Sequence, residues 1–118
     1  MRETKYDWEE RLLEYSASIV RLIEQLSNTR AGNHLAGQLL RSGTAALPNH
    51  GEAQAAESSA DFIHKMKISL KELRESYRWL LLIRRVPLTE AEADVSDLIN
   101  ETDELIRIFV KSIQTARK

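Results

Sequence analysis

The chain has 118 residues and a formal charge of -1, a size that fits one domain spanning 1–118. Its 42% hydrophobic content supports a core, and the scarcity of Gly and Pro, 4 and 2 residues, argues against β-rich and low-complexity classes and for an all-α protein. The lack of Cys excludes disulfides, thiolate catalysis and cysteine zinc sites, and fits an intracellular protein.

A first helix is expected to start near Thr4, whose hydroxyl can cap it with Asp7 at the third helical position. Trp8, Leu12, Tyr15, Ile19, Leu22, Ile23 and Leu26 follow at helical spacing. Ser27-Asn28-Thr29 ends this helix and offers the next N-cap.

From Arg30 to about Glu57 the pattern stays helical but is built of small residues, among them Gly32, Gly37, Gly43, Ala46, Gly51 and Ala53. Small side chains allow a neighbouring helix to approach closely, although each interior Gly costs about 1 kcal/mol relative to Ala. Pro48 removes a backbone donor and crowds the preceding turn. The expectation is one long helix kinked near Leu47-Pro48, with two shorter helices as the alternative.

Ser58-Ser59-Ala60-Asp61 supplies capping chemistry for a third helix, and Pro87-Leu88-Thr89 ends it. Thr89 and Glu92 form a capping-box pattern for the fourth, which is expected to bury Val95, Leu98, Ile99, Leu105, Ile106, Phe109 and Ile113. Short connections force antiparallel neighbours, so the expected architecture is an up-down-up-down four-helix bundle.

The third helix has three chemically distinct faces. Phe62, Ile63, Met66, Leu70, Leu73, Tyr77, Leu80 and Leu81 make a broad apolar face. Lys67, Lys71, Arg74, Arg78 and Arg85 fall within an arc of about 60° at 100° per residue. Ile68, Trp79 and Leu82 make a second apolar strip, opposite the first. One apolar stripe is enough for a helix in a small bundle, so the second strip calls for a partner subunit.

Charge follows the same division. Residues 60–88 hold seven basic and three acidic groups, whereas 1–29 and 89–118 are both net acidic. The basic stripe is read either as a surface for nucleic-acid phosphates, RNA or DNA, or as a salt-bridge surface neutralised by acids of another helix or subunit. No aromatic platform runs along it, which argues against base-specific reading.

Catalytic and metal constellations are not expected. Asp61-x-x-His64 occurs once, where a two-metal bundle needs paired elements; capping by Asp61 and a surface or interface role for His64 explain it better. His34, His50 and His64 as acid-base groups, and Ser42, Ser58, Ser59 and Ser69 as nucleophiles, show no motif that unites nucleophile, base and oxyanion donors. The stretch Gly37-Gln38-Leu39-Leu40-Arg41-Ser42-Gly43 lacks the ending of a phosphate loop. No cofactor is expected. The opening Met1-Arg2-Glu3-Thr4-Lys5 has no signal-peptide core and no apolar run nears 18 residues, so no membrane association and a cytoplasmic location are expected.

Arg41, Asn49 and Glu52 lie within the small, apolar second helix, where uncompensated charge is expensive. If Arg41 is buried it needs a carboxylate, with Glu52, Glu72 and Glu75 as candidates. Such a pair sets register more than it stabilises.

Arg41-Ser42-Gly43-Thr44, Asn49-His50-Gly51-Glu52-Ala53, Asp61-Phe62 and Leu70-Lys71-Glu72-Leu73-Arg74-Glu75 occur in order and at fitting distances. On these segments the chain resembles the bacterial four-helix-bundle family first noticed as open reading frames inside intervening sequences of large-subunit ribosomal RNA genes. The resemblance implies a homopentameric ring of four-helix protomers, and Arg41, Asn49, Glu52, Glu72 and Glu75 as motif residues. It also implies kinship with the accessory variability determinant of diversity-generating retroelements, whose positively charged pentamer binds nucleic acid and a reverse transcriptase. This chain differs in its slightly negative net charge, so binding RNA or DNA would require charge to be segregated on the ring.

The resulting expectation is a non-enzymatic homo-oligomeric scaffold or accessory protein that binds nucleic acid through Lys67, Lys71, Arg74, Arg78 and Arg85 and assembles through Ile68, Trp79 and Leu82. A protein-interaction module without nucleic-acid binding is the alternative. A small-molecule binder or enzyme using Arg41, Asn49 and Glu52 comes third.

Overall fold

The computed structural model describes the chain from Lys5 to Lys118, with side chains from Asp7 onward; the Thr4 cap lies outside the described residues. Four helices follow one another: α1 (Lys5–Ile23), α2 (Arg30–Gln54), α3 (Ser59–Arg85) and α4 (Glu92–Ala116). Each packs against the next, and α4 closes back on α1 along the most open seam. This is the expected all-α up-down-up-down bundle, held antiparallel by its short connections.

Buried positions recur at alternating steps of three and four residues. They are Leu12, Tyr15, Ile19 and Leu22 on α1, and Leu35, Leu39, Ser42 and Ala46 on α2. On α3 they are Met66, Ser69, Leu73, Ser76, Leu80 and Ile83; on α4, Val95, Leu98, Thr102, Leu105 and Phe109. A three-four alternation keeps one seam facing the neighbours on nearly parallel axes. Burying each large apolar side chain contributes about 1.5–3 kcal/mol before entropy is counted.

The α2–α3 pair comes closest because its seam is made of small residues. Ser76 Oγ donates to Ser42 Oγ at 2.8 Å, and Ser69 Oγ donates to the Ala46 carbonyl. The hydroxyls weighed as nucleophiles at 42 and 69 are therefore core groups. Not every small residue serves packing: Gly37 and Gly51 have open space where a Cβ would stand.

One local alternative is settled and one expectation is corrected. The second helix runs unbroken from Arg30 to Gln54 through Pro48, and Pro48 lies on its exposed side, where the ring meets solvent instead of the core; two shorter helices are excluded. The fourth helix starts after Ala91, without a side-chain cap. Thr89 Oγ1 instead accepts from the Ala91 amide, so the hydroxyl sits two residues ahead of the N-cap position that a capping box needs.

The other two caps form as expected. Thr29 Oγ1 accepts from the Gly32 amide and Ser58 Oγ from the Asp61 amide, so Asp61 is capped and does not itself cap. The Ser27 amide donates to the Leu88 carbonyl at 2.8 Å, tying the α1–α2 and α3–α4 connections together at one end. Across the open seam, Arg11 forms a two-bond pair with Glu101 at 2.8 Å and reaches Glu104 at 3.0 Å. No helix among the described residues is long and apolar enough to cross a membrane.

Candidate nucleic-acid interface

Lys67, Lys71, Arg74 and Arg78 follow the repeat that keeps residues four or three apart on one side of a helix. The opposite side of α3 is locked into the core by Met66, Leu73 and Leu80, so these four cations face outward. They line a groove of about 680 Å³ between α3 and α4, floored by Leu70, Val110 and Ile113 and closed by Gln114 and Arg117.

Among the described residues, no carboxylate lies within 4 Å of Lys67, Lys71, Arg74, Arg78, Arg85 or Arg117. Arg78 Nη1 donates to the Arg74 carbonyl at 3.2 Å, which steadies one guanidinium against its own helix. Glu75 also borders the groove, but its carboxylate is held by Arg41 and by the Trp79 indole N–H at 3.0 Å. From Lys67 to Arg78 the helix rises about 16 Å, enough for several consecutive phosphates.

Sequence spacing locates four of the groove's cations and misplaces one. Arg85 is exposed at the end of α3, two turns past Arg78, and does not line the groove. Arg117 stands outside the α3 stripe, and nothing in its own surroundings in the sequence joins it to α3. Antiparallel packing brings it there.

The polar motif divides in two. Arg41 is half exposed rather than buried, and bridges Glu72 at 2.9 Å and Glu75. Glu52 pairs with Lys65 at 3.3 Å, and Asn49 Nδ2 donates to the Ala45 carbonyl one turn back. Arg41 points along the α2–α3 edge, whereas Asn49 and Glu52 are two and three turns further on, so the three do not converge on one ligand.

The second apolar strip does not lie opposite the core face. It runs along the α2–α3 edge: Ile68 and Trp79 are half-buried, with Trp79 packed against the core, and Leu82 is 42% exposed. Of the three histidines, His34 and His64 are exposed, whereas His50 is buried with its ring 5.8 Å from that of Phe109 and Nε2 within 3.2 Å of the Gln54 amide.

A family model described as 23S rRNA-intervening sequence protein matches residues 5–111. The crystal structure of a protein of unknown function from the S23 ribosomal protein family of Bacteroides thetaiotaomicron VPI-5482 is similar to this chain, with a TM-score of 0.80 and 34% sequence identity. The match covers 89% of this chain and 96% of that one. No curated protein matches.

Proposed function

Because the chain belongs to the 23S rRNA-intervening sequence protein family, we propose that it is a non-enzymatic accessory or scaffold protein that self-assembles, as a pentameric ring, and holds nucleic-acid phosphates in the α3–α4 groove. The observation that carries this reading is the set of five groove cations with no carboxylate within 4 Å among the described residues. Cations left without counter-charges attract a polyanion and release its counterions when they bind it. A ring repeats the groove in each protomer, so modest contacts combine into avidity. The half-exposed strip at Ile68, Trp79 and Leu82 supports the assembly. The resemblance to accessory variability determinants adds a reverse transcriptase as the protein partner to test.

The test is binding of fluorescent RNA and DNA oligonucleotides over a range of salt. Affinity should fall steeply as salt rises, and should be lost when Lys67, Lys71, Arg74 and Arg78 are all replaced by Ala. Absence of binding at low salt, or an unchanged isotherm in the quadruple variant, refutes the phosphate groove.

The apolar floor of Leu70, Val110 and Ile113 favours a second reading, in which the groove takes an acidic segment of a protein. Under that reading oligonucleotides fail to bind at any salt concentration while an acidic amphipathic peptide binds.

A further inference from the structure

The large apolar side chains left most exposed fall into two groups on different sides of the protomer. Leu13 and Val20 of α1 and Leu40 of α2 are 49%, 42% and 40% exposed; Leu82 and Val86 at the end of α3 are 42% and 54% exposed. Leu13 and Val20 are seven residues apart and share a line on α1. That line runs along the α1–α2 edge: Glu9, one turn before Leu13, borders Gly51 and Gln54 of α2. Gly43 sits against Ile19, which sets Leu40 level with the following turn of α1.

The rims of the two patches are oppositely charged. Glu9 and Glu10 stand one turn before Leu13 and Glu24 one turn after Val20. All three are exposed, and none has a basic side chain within 4 Å among the described residues. Beside Leu82 and Val86 stand Arg78 and Arg85, equally without a carboxylate. Either patch meeting its own copy would bring like charges together around an apolar centre, whereas the α1–α2 patch meeting the α3 patch pairs acid with base.

Resting on the self-assembly reading above, we infer that copies of this chain dock head to tail, the α1–α2 patch of one on the Leu82–Val86 patch of the next. Such a contact is heterologous and closes into a ring when the rotation per subunit allows. It lies at the C-terminal end of α3, shares only Arg78 with the groove lining, and leaves Lys67, Lys71, Arg74 and Arg117 open to phosphates.

The absence of native Cys makes this directly testable by cross-linking. Three variants are compared with a short bismaleimide: Leu13→Cys, Leu82→Cys, and the two together. The double variant should give a ladder beyond the dimer on denaturing gels, while each single variant stays monomeric there. A dimer band from either single variant overturns the inference, because it shows a patch meeting its own copy. So does a double variant that gives no ladder while light scattering shows an oligomer. A wild-type monomer in light scattering overturns the self-assembly reading itself, and the inference with it. As a second measurement, Leu13→Glu/Val20→Glu and Leu82→Glu/Val86→Glu alter only exposed positions; each should keep its helical circular dichroism and lose the oligomer. Retention of the oligomer by either overturns the inference.

Discussion

The Tyr15 hydroxyl of α1 lies 2.7 Å from the Thr102 hydroxyl of α4 inside the bundle, and Thr102 Oγ1 in turn donates to the Leu98 carbonyl at 2.6 Å. Thr102 spends its proton on α4, so Tyr15 is the donor to it. This bond joins the two helices whose seam is the most open.

Burial pushes the Tyr15 phenol up to about 12, against about 10 for an unfolded tyrosine. A raised folded-state value stabilises the protein fully below pH 10, and that contribution is lost as pH rises from about 10 through 12. Wild type should therefore lose up to roughly 3 kcal/mol more than Tyr15→Phe across this window. At neutral pH the Phe variant should be the weaker by about 1 kcal/mol. Denaturant titrations at pH 8 and pH 11.5 give both numbers.

The glycines of α2 should respond to alanine in opposite directions. A Cβ at Gly32 would stand 1.9 Å from the Ser27 carbonyl oxygen, and at Gly43 it would stand 2.8 Å from Cγ2 of the buried, β-branched Ile19. Gly32→Ala should cost more than about 2 kcal/mol and Gly43→Ala about 1–2, despite the better helix propensity. Gly37→Ala meets open space and should add up to about 1 kcal/mol. Thermal melts of the three variants test the ordering.

Ser16 is buried, and its Oγ has no hydrogen-bond partner among the described residues. Ser16→Ala removes a desolvated polar atom without leaving a large cavity. It should stabilise the fold by about 1 kcal/mol, read as a rise in the denaturant midpoint at unchanged slope.

Arg41 spans two carboxylates, and one of them, Glu75, also accepts from the Trp79 indole. Lys cannot reproduce a fork that reaches both Glu72 and Glu75. Arg41→Lys should cost about 1 kcal/mol, the pair being partly exposed. It should also change Trp79 emission in a Trp8→Phe background. Unchanged emission would contradict the link through Glu75.

Arg117 provides a test that sequence spacing alone would not suggest. If phosphates occupy the groove, Arg117→Ala should lower the slope of log affinity against log salt by about 1. Arg107 pairs with Asp103 on α4 at 3.2 Å and lies outside the groove lining; Arg107→Ala should leave the slope unchanged.

What the sequence determined by itself was the number and order of the helices, most of the core and the line of four cations on α3. These follow from local chemistry: caps at Thr29 and Ser58, a three-four apolar rhythm, and cations spaced by four and three residues, all set by the geometry of a single helix. Tertiary structure decided which residues from different helices share a space. It placed Ser42, Ser69 and Ser76 in the core, because small hydroxyl residues fill a close helix contact that hydropathy does not register. It brought Arg117 to the α3 cations and separated Arg85 from them. It also joined Arg41 to Glu72 and Glu75 while leaving Glu52 to Lys65. Each of these depends on the antiparallel register of two helices, which side-chain periodicity along either one leaves undetermined.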